Sequence, residues 1–145
     1  MALVGLSCKL FINTGTYAAP TWTEVTIARD VAVNLEATEA EASSRASTWK
    51  EFLVALKDAS VEFDILYEGA DTNLVLIRDA FLNGTDIEIL AFDGASATVG
   101  NQGLRATCKC FAFSRNEPME EAVTNAVTMK PTPNSDAAPA WFTAV

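Results

Sequence analysis

Residues 57–93 constrain the fold most, because three unambiguous patterns follow one another there. Val61, Phe63, Ile65 and Tyr67 alternate with Ser60, Glu62, Asp64 and Glu68, the period of a half-buried strand. Leu74, Ile77 and Phe81 then recur at helical spacing, with Val75, Leu76 and Ala80 off that stripe. Asp71 is suited to cap the helix, and Asn83-Gly84 to the left-handed turn that ends one, so the spacing predicts a helix over residues 72–83. Alternation returns afterwards, with Ile87, Ile89 and Ala91 on one face and Asp86 and Glu88 on the other.

The flanking chain is mostly strand. Residues 7–14, 22–28, 29–36, 104–115 and 122–130 each read as strands separated by turn chemistry, such as Asn13-Thr14-Gly15 and Glu117-Pro118. In the fourth of these, Leu104, Ala106, Cys108, Cys110 and Ala112 share one face, and Arg105, Thr107, Lys109, Phe111 and Phe113 the other. Residues 37–55 are small, polar and weakly patterned until Trp49, and they read as a projecting loop whose Trp49 end packs back on the body. Residues 133–145 hold no element of their own and read as an extended C-terminal arm ending in Trp141 and Phe142. The expected fold class is mainly β: an antiparallel sandwich or split barrel over residues 1–132, flanked by one helix.

Composition narrows the function. Half of the 145 residues are hydrophobic and a fifth are charged, which fits one packed domain. No apolar run approaches the roughly 20 residues that span a bilayer, and the first residues lack the pattern of a signal peptide. A net charge of −9 opposes nonspecific grip on phosphates. There is no histidine, so the commonest general base is missing, and three cysteines fall short of a structural zinc set. Cys108 and Cys110 therefore read as buried small apolar residues, and no cofactor or metal is expected. Glu62 with Asp64, and Asp86 with Glu88, could in principle serve a carboxylate-based hydrolase. Solvated outer faces of strands give the same pattern far more often, so no catalytic residue is expected. A small ligand-binding β-barrel, its cavity lined by Phe63, Tyr67, Phe111 and Phe113, is the alternative from another class.

The order of these elements resembles the tail tube (major tail) proteins of long-tailed bacteriophages. The likeness is carried by residues 29–35 (Arg-Asp-Val-Ala-Val-Asn-Leu), the polar loop with Ser43-Ser44-Arg45, Trp49, residues 56–63, the capped helix ending in Asn83-Gly84, and the Glu117-Pro118 break. It covers roughly residues 5–132. The resemblance implies a structural protein of the virion tail, assembled in the host cytoplasm, whose subunits form hexameric rings with neighbouring sheets joined around a lumen. Rings would stack into a tube through which genomic DNA leaves without specific binding. Type VI secretion tube proteins look alike in fold, so a secretion-system tube is a related expectation. The implied partners are further copies of the chain and other tail proteins such as the tape measure, tail tip and terminator. Ring contacts are expected at Glu39, Glu41, Arg45, Trp49, Trp141 and Phe142. Glu62, Asp64, Asp86 and Glu88 are expected as lumen-facing or exposed acids.

Overall fold

The computed structural model describes residues 2–132 and 138–145. After a single 3-10 turn at Gly5–Ser7, the chain forms β1 (Lys9–Asn13), β2 (Trp22–Glu24), β3 (Ala28–Glu41), β4 (Phe52–Leu66), α1 (Thr72–Asn83), β5 (Ile87–Phe92), β6 (Gln102–Asn116), β7 (Thr124–Pro131) and β8 (Ala140–Thr143). All eight strands join one antiparallel sheet in the order β2-β1-β5-β6-β7-β4-β3, with β8 paired to β6. The mainly β class with one helix is as expected. The strands form a single sheet, and it does not close into a barrel.

Alternation places one face of this sheet in the core. Val61, Phe63 and Ile65 of β4, Val127 and Met129 of β7, and Leu104, Ala106 and Cys108 of β6 are buried together with Leu10, Ile12, Ile87 and Ile89. Helix α1 covers that face through Leu74 and Ile77, which are completely buried. Side chains of that size stabilise by roughly 1.5–3 kcal/mol each. Its start is set by Asp71, whose carboxylate accepts from the Asn73 and Leu74 amides at 2.9 and 3.1 Å. Gly84 ends it in the left-handed region at φ 65°, where a Cβ would be strained. The buried stripe is 73-74-77-80. Ala80 is in the core while Phe81 is 40% exposed, reversing their expected places. A methyl fits the close approach of helix to sheet that a phenyl ring does not.

Two further expectations are corrected. The segment 37–55 is not chiefly a loop: β3 runs to Glu41 and β4 begins at Phe52, so the connection is only residues 42–51 and the whole forms a two-stranded arm. Trp49 at its turn is 80% exposed, because the arm extends beyond α1 and β7 and meets no second layer to pack on. The C-terminal tail does contain an element, since β8 pairs residues 102–105 of β6. β7 and β8 lie on the same edge of β6, opposite β5, and past Pro131 the Thr132 amide still donates to the Thr107 carbonyl of β6 at 3.2 Å. The first residues of the expected arm, 133–137, lie outside the described residues.

The strand β5 is buried on both faces. On the side away from α1, Phe11, Leu90, Phe92 and Ala144 make a second small cluster, edged by Trp22 and Phe142. Gly103 sits on β6 between Phe92 of β5 and Phe142 of β8, and having no side chain lets those two rings stack at 5.8 Å. A Cβ there would run into the Ala91 carbonyl.

Candidate assembly surface

The sheet face away from α1 divides in two. Toward β2 and β8 it is sealed by the small cluster and by a buried ion pair. Arg105 Nη2 donates to Glu88 Oε1 at 3.0 Å and to the Tyr17 carbonyl at 2.7 Å. The guanidinium lies 4.0 Å from the Tyr17 ring centre, with the Trp22 and Phe142 rings at 5.1 and 5.6 Å. Asn13 Nδ2 donates to the same Glu88 oxygen at 2.7 Å. Glu88 is thus a buried, partnered acid rather than the exposed one that alternation predicts, because the side it faces is covered here. Phe142, expected at a ring contact, is likewise half-buried within its own chain.

Toward β3 the same face is bare. The outward residues are Asp58, Ser60, Glu62 and Asp64 on β4, Ala126, Thr128 and Lys130 on β7, and Ala112, Ser114 and Asn116 on β6. Ala32, Asn34 and Glu36 of β3 continue it through register with Glu62, Ser60 and Asp58. Apart from Phe111 at the bulge of β6, no large apolar side chain stands on these rungs. Four acids face Lys130 and Lys109, and Lys109 reaches Asp86 at 3.8 Å on the border. Burial of this surface by an apolar partner would strand its charges, so it is built to stay wet.

A bulge maintains that division. The β6–β7 register shifts between Cys110 and Ala112, which turns Ala112 outward beside Phe111 (58% exposed) and returns Phe113 to the core side. Strict alternation predicts Phe113 on the outer face. With Phe63 in the core and Tyr67 and Phe111 exposed, the four aromatics of the ligand-barrel alternative line no common cavity. The thiols beside the bulge are inert: burial, reinforced by the Glu88 charge, pushes Cys108 up to about 12, and burial also raises Cys110. Among the described residues no cluster of three or more Cys, Asp or Glu could hold a metal, and no helix is long and apolar enough to cross a membrane.

The bare block β3-β4-β7-β6 ends in two long edges. Among the described residues, β3 pairs only with β4 along its 14 residues. β6 loses β5 after Cys108, leaving residues 109–116, among the described residues, paired on the β7 side alone. Unpaired edges of this length invite another strand. Glu39, Glu41, Arg45 and Trp49 stand on the projecting arm, and Trp141 is 59% exposed on β8 with its Nε1 donating to Gln102 Oε1 at 2.8 Å.

No protein-family model and no curated protein sequence matches the chain. Solved structures do. The SPP1 tail tube superposes with a TM-score of 0.74 at 13% identity, covering 89% of this chain and 75% of that one. The tail of an empty gene transfer agent particle, determined with C6 symmetry, gives 0.73 at 15% identity and covers 99% and 100%. The sheath/tube terminator of an extracellular contractile injection system gives 0.64 at 6% identity, covering 98% and 97%. These neighbours are structural components of tubes and not enzymes. The fold of this chain is that of phage tail tube proteins.

Proposed function

We propose that the chain is a self-assembling subunit of a phage tail tube, located in the virion tail after assembly in the host cytoplasm. Its free β3 edge pairs with the free 109–116 edge of β6 in the next copy, so that rings close and neither of these two edges remains open. The bare acidic face then lines the lumen and α1 lies outside. The observation that carries this reading is the conjunction of a polar, uncovered face with two long unpaired edges at its borders. Six copies would contribute about 24 strands. At 4.8 Å per strand and a tilt near 40°, the wall closes at a backbone diameter of about 45–50 Å, leaving a channel of roughly 35–40 Å. That width passes duplex DNA, and net-negative walls keep phosphates from sticking. Tape measure, tip and terminator proteins are the further partners such a tube requires.

Sedimentation velocity and negative-stain microscopy across a concentration series test this directly. Rings and hollow tubes about 10 nm wide are expected. A strictly monomeric protein at every concentration would overturn the reading.

A further inference from the structure

Where Pro131 stops β7, the sheet splits. Residues 52–60 of β4 are paired to β3 on one edge and, among the described residues, to nothing on the other. Between that open edge and β8 lies a groove of about 900 Å³, lined mostly by apolar groups, among them Leu35, Val54, Leu104, Phe111 and Trp141, together with the charged Glu36, Lys57, Asp58 and Lys130. One wall therefore offers unpaired backbone groups and the other offers apolar side chains. That is the geometry which takes up an extended apolar peptide as an added strand.

The chain carries such a peptide with no site of its own. Leu3, Val4 and Leu6 are 60%, 69% and 93% exposed, and residues 2–8 contain no charged side chain. Only two backbone hydrogen bonds, Ser7 N to Val4 O and Cys8 N to Gly5 O, hold its single turn, in which no residue is buried. Both flanking residues are already extended, at ψ 133° and 149°. Unwinding this turn is inexpensive. Docking within one molecule is disfavoured by length. Along the sheet, β1 is separated from β4 by β5, β6 and β7, four steps of about 4.8 Å, whereas seven residues span at most about 23 Å. A segment used to cross that distance has none left to pair.

We infer that the N-terminal segment, residues 2–8, of one copy adds as a strand to the 52–60 edge of β4 in a neighbouring copy, its leucines and valine filling the groove. The inference rests on the assembly reading above. The match is chemical: a charge-free apolar strand meets a mostly apolar groove, and each supplies backbone partners that the other lacks among the described residues.

The test uses the full-length protein with Val54→Cys or Lys57→Cys, relying on the native Cys8 thiol, which is exposed while Cys108 and Cys110 are buried. A short bismaleimide applied to assembled protein is expected to join Cys8 of one chain to the new cysteine of another, identified by peptide mapping of the dimer band. Mixing Cys8→Ser/Val54→Cys protein with unmodified protein should preserve the link, and the Cys8→Ser/Val54→Cys protein alone should abolish it. In parallel, Leu3→Asp/Leu6→Asp should raise the concentration at which tubes form by at least about tenfold, since two exposed side chains lose an apolar site. Crosslinking within one chain, no crosslink in well-formed tubes, or unchanged assembly by the double aspartate variant each overturns the inference while leaving the tube reading intact. Failure of the unmodified protein to form any tube overturns both.

Discussion

Replacing Arg105 by alanine probes the sealed half of the outer face. The substitution removes the 3.0 Å ion pair to Glu88, the 2.7 Å bond to the Tyr17 carbonyl, and the cation that three rings surround. It leaves Glu88, 8% exposed, with Asn13 at 2.7 Å and a long contact to Thr107 at 3.5 Å. An uncompensated buried carboxylate costs about 3–5 kcal/mol. With a urea dependence near 2 kcal/mol per molar for a chain of this size, the unfolding midpoint should fall by roughly 1.5–2.5 M at pH 7. Arg105→Met combined with Glu88→Leu should recover most of that loss, because replacing both members of a buried pair by apolar groups of similar volume is nearly neutral. Asn13 tolerates this, since its side-chain oxygen still accepts from Gly15 and Thr21. A single-variant loss below about 1 kcal/mol, the range of solvated surface pairs, would refute the claim that the pair is buried and structural.

Other perturbations act elsewhere. Alkaline pH should destabilise the fold through Cys108. Its thiol is raised from 9.0 to about 12, so the unfolded chain loses the proton first, and stability present below pH 9 is lost as pH rises toward 12. At pH 10.5 the loss is on the order of 1–2 kcal/mol, and Cys108→Ala should flatten the slope of stability between pH 9 and 11. Asp71→Ala removes the cap of α1 and should cost about 1 kcal/mol in chemical denaturation, with Asp71→Asn nearly silent. Gly103→Ala forces β5 and β6 apart and should cost about 1–3 kcal/mol, with loss of the near-ultraviolet signal from the stacked Phe92 and Phe142.

The helix was legible in the sequence because its signals are local: an aspartate before the first turn, a glycine after the last, and Leu74 and Ile77 one turn apart. The inner residues of β4 are equally plain. Alternation failed where long-range packing set the phase. Glu88 looks like any outward acid until Arg105, Asn13 and the C-terminal strand close over it. The bulge beside Phe111 exchanges inner and outer positions, and nothing in the local run Cys-Phe-Ala-Phe announces it. The arm is not legible locally because residues 37–41 are small or polar and pair with Phe52, Leu53 and Val54 without a buried stripe, so they carry no amphipathic signal. Of the expected contact residues, those on the arm and Trp141 remain available to a neighbour, while Phe142 is committed within the chain.

A helical reconstruction of the assembled tube at side-chain resolution tests the central claim most directly. The account predicts Glu62, Asp64, Thr128 and Ser114 on the lumen wall, α1 on the outside, and β3 hydrogen-bonded to residues 109–116 of the next copy. A tube with α1 turned toward the lumen, or with those two edges left apart, would contradict it.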